Sequence, residues 1–286
     1  MISALLFLEH FPPMLTYPTI DPVALSIGPL QVHWYGVMYL LAFVVAWRLA
    51  LRNSQRPWSP IKKNQVEDLI VYGAWGVIVG GRLGYICFYS FDKWLADPAM
   101  VIRIWEGGMS FHGGLIGVAI AILIYSRKYQ ISFLALTDFA TPLVPTGLLF
   151  GRLGNFIGQE LYGRPTDAPW GMVFPADPEQ LARHPSQLYE AALEGLLLFL
   201  VINWFARKPR LYGHVTGLFL ILYGIFRFAV EFVRQPDAQF LGQSSLVESF
   251  SWMTRGQTLC IPMILLGLWF MRKSLQRLFD NSVSSS

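Results

Sequence analysis

Seven apolar segments run through this chain, and most are long enough to cross a lipid bilayer. A spanning helix needs about 20 mostly apolar residues, and in lipid only helices or closed barrels satisfy their own backbone hydrogen bonds. The third and seventh segments are the shortest. The pattern predicts an all-α integral membrane protein with about seven transmembrane helices. The segments are Val32–Leu51, Leu69–Tyr89, Met109–Tyr125, Phe133–Phe156, Gln187–Ala206, Gly213–Val233 and Gln257–Met271.

Composition supports a single membrane domain over residues 1–286. Hydrophobic residues make up 54% of the chain and charged residues 14%, whereas soluble domains carry about 25% charged residues. The net charge of +4 is modest, and no nucleic-acid-binding motif is present. We therefore expect the lipid bilayer, and no nucleic acid, among the partners.

The distribution of Lys and Arg predicts the orientation. Basic residues concentrate in short connections on one side, which the positive-inside rule places in the cytoplasm. The N-terminal arm, residues 1–31, is then outside, and the tail, residues 272–286, is cytoplasmic. The long connection at residues 157–186 forms a small head outside. The basic residues on the predicted cytoplasmic side are Arg52, Arg56, Lys62, Lys63, Arg127, Lys128, Arg207, Lys208, Arg210, Arg272, Lys273 and Arg277.

Polar side chains from several segments converge on the outer half of the bilayer. Arg82, Arg152 and Arg227 lie within or near the ends of different segments, and such groups in lipid are rare unless paired or used. Arg binds phosphate through a planar bidentate fork, so the set indicates a site for an anionic lipid. Glu190 and Glu194 on the fifth segment either belong to this site or pair with arginines as structural contacts.

His112 lies between two glycine pairs, Gly107-Gly108 and Gly113-Gly114. A histidine titrates near neutral pH and can accept a proton, and glycines leave room for a substrate to approach. The alternative is a loop-to-helix turn capped by Ser110. Cys87 and Cys260 lie in apolar runs, have no metal-ligand spacing, and are expected to be buried.

Glycines recur at four-residue spacing, which lets helix backbones approach closely in lipid. Pro142 and Pro145 are expected to kink the fourth segment. The pairs are Gly76/Gly80, Gly80/Gly84, Gly113/Gly117, Gly147/Gly151 and Gly213/Gly217.

The segment Gly151–Arg164 resembles the signature of the bacterial prolipoprotein diacylglyceryl transferases. It matches the family pattern except at Gly158, where the family usually has Asn. Further motifs resembling the family follow in family order: His33–Gly36, Gly80–Tyr85, Gly107–Gly114, Arg183–Glu190 and Phe226–Asp237.

The resemblance implies an enzyme of the bacterial inner membrane whose active site faces the periplasmic leaflet. It would move the sn-1,2-diacylglyceryl group of phosphatidylglycerol onto the lipobox cysteine thiol of a prolipoprotein signal peptide, releasing glycerol 1-phosphate. This is the first step of lipoprotein maturation and needs no cofactor.

We assign four catalytic residues by this resemblance: His112 as the base, Glu231 as the alternative base or an orienting group, and Arg152 and Arg227 on the leaving phosphate. Seven residues are expected to bind phosphatidylglycerol: Tyr35, Arg82, Asn155, Glu160, Gly163, Tyr223 and Arg234.

Two other classes fit arginines in a membrane cavity: an anionic-lipid transporter or flippase, and a non-catalytic assembly factor. Transporters usually show internal repeats and polar groups near the midplane, and the sequence shows neither. The sequence leaves open which of His112 and Glu231 takes the proton. It also leaves open how the lipid enters, the oligomeric state and the acyl-chain preference.

Overall fold

The computed structural model describes residues 15–28, 30–104, 107–235 and 253–283, and its architecture is mainly helical. Within these residues, four helical segments are long and apolar enough to cross a membrane: Trp34–Ser54, Lys63–Tyr89, Phe133–Ile157 and Ser186–Phe205. Shorter apolar helices cover His214–Val230 and Gly256–Arg272. The segment predicted at Met109–Tyr125 is also helical, but the count of seven spans stays a prediction.

The helices in chain order are α1 (Trp34–Ser54), α2 (Val66–Tyr89), α3 (Phe91–Ala96), α4 (Phe111–Tyr129), α5 (Phe133–Ala140), α6 (Val144–Ile157), α7 (Ser186–Glu190), α8 (Leu198–Phe205), α9 (His214–Val230) and α10 (Arg255–Val283). A 3₁₀ turn, Thr141–Leu143, separates α5 from α6, so the fourth segment breaks at the expected prolines. A π-helical segment, Ala191–Leu197, joins α7 to α8.

The chain divides into two compact units. The second unit comprises residues 47–142 and 208–216, and its centre is the contact between α2 and α4. A Cβ on Gly117 would lie 2.0 Å from the carbonyl oxygen of Gly76, and one on Gly113 would lie 2.3 Å from that of Gly80. The predicted close approach of helices is confirmed here.

The first unit comprises residues 1–46, 143–207 and 217–286. The π-helical segment packs on α6, where Gly195 faces Leu149, and α9 packs on α10, where Gly217 faces Gly267. Gly147 and Gly151 have open space around them. The expectation that this pair supports a helix contact is therefore wrong for the described part of the chain, where no atom of another element lies within 4 Å of a Cβ built on either glycine.

Short strands accompany the first unit. Strands β2 (Val23–Ile27) and β3 (Leu30–His33) form an antiparallel hairpin. Strands β1 (Leu15–Thr16), β4 (Met172–Val173) and β5 (Ala182–Arg183) form a sheet in the order β1-β4-β5. Tyr17, Met172 and Phe174 are buried around this sheet. The connection between α6 and α7 thus folds together with part of the N-terminal arm.

The two cysteines differ in exposure. Cys260 is buried on α10, as expected, whereas Cys87 is exposed on α2. The expectation of a buried Cys87 is wrong, because that side of α2 is not covered by another helix of the described chain.

Candidate active site

Arg152 and Asn155 lie one turn apart near the C-terminal end of α6. The Arg152 Nη1 donates to the Asn155 Oδ1 over 3.4 Å. Its Nε contacts Oε2 of Glu190 on α7 at 2.5 Å. Asn155 is buried, so its amide oxygen helps to orient the guanidinium of Arg152.

Glu190 is the carboxylate on which three guanidinium groups converge. Besides Arg152, the Arg227 Nη1 lies 3.9 Å from Oε2 and the Arg234 Nε lies 3.7 Å from Oε1. Glu190 has no solvent exposure. A buried charge is tolerated when it is paired. The sequence left open whether Glu190 pairs with arginines, and the structure shows that it does.

Glu231 lies just after α9 and contacts Arg227 through a different guanidinium nitrogen from the one near Glu190. The Arg227 Nη2 contacts the Glu231 Oε2 at 2.7 Å, and the Thr254 hydroxyl donates to Oε1 over 3.0 Å. A Cβ on Gly256 would lie 2.7 Å from this carboxylate. The Glu231 carboxylate is therefore held by close contacts between the end of α9 and the start of α10.

Sequence reasoning missed Thr254 and Gly256, although a signal was present. Thr254 precedes the first residue of α10 and accepts from the backbone N–H of Gln257 over 3.2 Å, while the Gln257 side chain accepts from the backbone N–H of Thr254 over 3.0 Å. This is a capping box, readable from the pattern Thr-x-x-Gln. The pattern marks the helix start but does not indicate the contact with Glu231.

The loop after α6 is held by backbone contacts. The backbone N–H of Glu160 donates to the Asn155 carbonyl over 2.9 Å, and the Gln187 amide donates to the Glu160 carbonyl over 2.8 Å. Glu160 itself is exposed. These bonds place the loop beside the arginines.

Gly163 lies where two chain segments approach closely. It pairs with Arg234 in an isolated antiparallel bridge. A Cβ at this position would lie 2.5 Å from the Val233 carbonyl oxygen. Only glycine fits here without displacing the backbone, so Gly163 helps to position Arg234.

Two tyrosines border the arginine cluster. Tyr35 is 44% exposed, its ring packs on Gly154, and its hydroxyl lies 3.1 Å from that of Tyr39. Tyr223 lies one turn before Arg227 on α9 and stacks on Phe219 with ring centroids 5.6 Å apart.

Arg82 and His112 belong to the second unit. Arg82 is buried and donates to the carbonyls of Met100, Arg103, Gly107 and Gly108, the contacts with Arg103 and Gly108 being 3.0 and 3.2 Å. Gly107 and Gly108 both adopt positive φ, which turns their carbonyls toward the guanidinium.

His112 is the second residue of α4 and is exposed. Ser110 caps the helix by accepting from the backbone N–H of Gly113 over 3.2 Å. Gly113 is used for the approach of α4 to α2. The expected cap by Ser110 is present, and the role of His112 stays a prediction. Glu106 directly precedes the glycine pair Gly107-Gly108, and Pro236 and Asp237 end the motif Phe226–Asp237; these three residues lie outside the described residues.

The motif residue Arg183 serves the loop connection. Its guanidinium contacts Asp177 at 2.5 Å and Glu179 at 2.5 Å, and donates to the Gln235 amide oxygen over 3.0 Å. The contact with Arg183 lowers the pKa of the Asp177 carboxyl, and burial lowers the pKa of His184. These residues hold the small sheet and its connection to α7.

The fold and this cluster define a helical membrane protein with a largely buried site built from arginines and carboxylates. Within residues 15–28, 30–104, 107–235 and 253–283, no group of His, Cys, Asp or Glu could hold a metal ion.

Comparison with known proteins gives the family. The family model described as prolipoprotein diacylglyceryl transferase matches residues 22–273. The chain is 56% identical to the phosphatidylglycerol–prolipoprotein diacylglyceryl transferase of Acinetobacter baylyi, covering 92% of this chain and 96% of the relative. A protein of the same name from Teredinibacter turnerae is 56% identical over 89% and 90% of the two chains. The chain belongs to the prolipoprotein diacylglyceryl transferase family.

Proposed function

We propose that this chain transfers the sn-1,2-diacylglyceryl group of phosphatidylglycerol to the lipobox cysteine thiol of prolipoproteins, the first step of lipoprotein maturation. A thioether forms and glycerol 1-phosphate leaves. The names of relatives that are 56% identical over nearly the whole chain support this activity.

The observation that carries the proposal is the convergence of Arg152, Arg227 and Arg234 on Glu190. Negative charge grows on the phosphate as the glycerol C–O bond breaks. Cations already in place at the site stabilise that charge without reorganisation. Arg152 and Arg227 share one oxygen of Glu190, which supports their acting on a single phosphate.

The substrate supplies the nucleophile, and its thiol must lose a proton to react. Glu231 is engaged by Arg227 and Thr254, which favours an orienting role. His112 is exposed at the start of α4, which supports it as the base. The thiol proton then passes to His112, the thiolate attacks the glycerol carbon, and the phosphate takes the electron pair of the broken bond.

The remaining predicted residues would bind the head group from several sides. Tyr35 and Tyr223 border the arginine cluster, Arg234 belongs to it, and Asn155 orients Arg152. Glu160 and Gly163 would shape the loop over the site. Arg82 would act through the turn at Gly107 and Gly108, whose carbonyls it binds.

The proposed setting is the bacterial inner membrane, with seven spans, a periplasmic N-terminus and a cytoplasmic C-terminus. The four long apolar helices support a membrane location, and the Lys and Arg distribution supports this orientation. The site would then open toward the periplasmic leaflet, where a secreted prolipoprotein presents its signal peptide.

The test is a reconstituted assay with phosphatidylglycerol and a lipobox peptide, in which thioether product is measured by mass spectrometry. Arg152→Ala and Arg227→Ala should each reduce turnover by about 10²–10³-fold, as loss of an oxyanion donor does. His112→Gln should reduce turnover by about 10²-fold or more, as loss of a general base does. The control is Arg127→Ala, because Arg127 is exposed at the end of α4.

Near-normal turnover in both cluster variants would contradict the phosphate role of the arginines. Lipid movement by the purified protein without thioether formation would contradict the transferase itself and favour a transporter.

A further inference from the structure

Glu194 is a buried carboxyl group that the mechanism above does not use. It lies on the π-helical segment Ala191–Leu197, one turn beyond Glu190. Its exposure is 0%. Neither of its oxygens has a hydrogen-bond partner among the described residues. π-Helical turns inside α-helices are frequent at functional sites.

Charged and titratable groups of the helices α6, α9 and α10 interact electrostatically with Glu194. Glu190 precedes it, and Arg152 faces it from α6. Tyr223 and Arg227 face it from α9, Arg234 follows α9, and Cys260 faces it from α10.

Each guanidinium in this cluster already has a carboxylate. Arg152 and Arg234 contact Glu190, and Arg227 contacts both Glu190 and Glu231. Among the described residues, Glu190 and Glu231 are the paired carboxylates of this cluster, and Glu194 is a further carboxyl group that has no ion pair there. Burying an ionised carboxylate without a partner is strongly unfavourable, whereas burying a protonated one is much less so.

We infer that Glu194 is held as a neutral carboxylic acid, so that it does not pair with a guanidinium of the cluster and leaves these groups available to an anionic phosphodiester. This inference deepens the proposed function and rests on it for the identity of the lipid. Glu194 is a positioning residue, since it acts through the charge of the arginines. If it ionised, it would add a negative charge beside the guanidiniums, and their attraction for an anionic lipid would weaken.

The protonation state can be read without any turnover. In infrared spectra of the full chain in lipid nanodiscs, a protonated carboxylic acid gives a C=O band that shifts on deuteration and on ¹³C labelling of glutamate. We expect one such glutamate band at pH 7 in the wild-type protein and its loss in Glu194→Gln. Absence of a protonated glutamate in the wild type would overturn the inference, whether or not the variant folds.

Two variants with the same chemical change separate the two carboxyl groups. Glu194→Gln replaces a neutral acid by a neutral amide of the same shape, so its apparent unfolding temperature should stay within roughly 2 °C of wild type. Glu190→Gln removes the partner of three guanidiniums and should lower that temperature by roughly 5 °C or more. Equal losses in the two variants would mean that Glu194 is an ionised partner.

A pH profile tests the consequence for the lipid. The KM for phosphatidylglycerol should rise toward alkaline pH in the wild type, as Glu194 ionises, and stay within about twofold in Glu194→Gln, where no proton can leave. An identical rise in both proteins would overturn the inference. If the protein binds phosphatidylglycerol but makes no thioether, the proposed function fails while the infrared result still decides the state of Glu194.

Discussion

The hydroxyl of Thr254 donates a 3.0 Å hydrogen bond to the carboxylate of Glu231. The Thr254 hydroxyl oxygen also accepts a hydrogen bond from the backbone N–H of Gln257 in the first turn of α10. The hydroxyl of Thr254 therefore both caps α10 and positions the carboxylate of Glu231. Because Glu231 holds Arg227 at 2.7 Å, the start of α10 sets the position of a guanidinium in the site.

Thr254→Val keeps the side-chain shape and removes the hydroxyl. Loss of the cap should cost about 1 kcal/mol of stability, and one oxygen of Glu231 loses its donor. We expect a lower kcat with lipid binding retained, measured in the reconstituted thioether assay. Thr258→Val is the control, since the Thr258 hydroxyl donates to the Thr254 carbonyl, away from Glu231. Equal effects of the two changes would assign the loss to the helix alone.

Gly256→Ala places a methyl group against Glu231. The new Cβ would lie 2.7 Å from the carboxylate, so the carboxylate must move and Arg227 moves with it. We expect at least about tenfold lower turnover, because small misplacements of a positioned group are costly. Gly147→Ala introduces the same methyl on α6 where nothing lies within 4 Å, and it should behave like the wild type. Normal turnover in Gly256→Ala would contradict the claim that the close packing of Gly256 on Glu231 positions Arg227.

Gly117→Ala tests the crossing of α2 and α4. Its Cβ would lie 2.0 Å from the Gly76 carbonyl oxygen, so the two backbones must separate. Overpacking of this kind typically costs about 1–3 kcal/mol, which should appear as a lower unfolding temperature in detergent. The matched change is Gly73→Ala on α2, which meets nothing within 4 Å. An unfolding temperature as high as in that control would argue against the close crossing.

Asp177→Asn tests the ion pair of the loop connection. The Arg183 guanidinium lowers the pKa of Asp177, so the folded state favours the ionised carboxylate. The resulting stability is present above the ordinary Asp pKa of about 3.9 and is lost as the pH falls through the lower folded-state value. The variant should be less stable at pH 7 and should lack this acid-dependent loss.

The measurement for Asp177→Asn is resistance of residues 158–185 to proteolysis as a function of pH. Burial also lowers the pKa of His184, so a separate loss below about pH 6.5 should remain in the variant. Glu179→Gln is the control: Glu179 also contacts Arg183 but its side chain is 64% exposed, and exposed ion pairs contribute little. A larger effect at Glu179 would contradict this assignment.

Much of the fold could be predicted because lipid imposes a simple rule on sequence. A segment such as Trp34–Ser54 must be apolar over its length and helical in its backbone, and the break at Thr141–Leu143 follows from the prolines. The glycine spacing predicted the close contact at Gly113 and Gly117. It failed at Gly147 and Gly151, since spacing alone does not say which side of a helix is covered.

By itself, the sequence determined that arginines and carboxylates would lie near the ends of apolar helices, and its motifs indicated the family. Only the tertiary structure decided the pairing: Glu190 takes three guanidiniums, Glu231 takes Arg227 and Thr254, and Glu194 takes no partner within the described chain. The physical reason is that ion pairing depends on distances of a few ångströms between helices far apart in sequence. Those distances are set by packing, to which every contacting residue contributes.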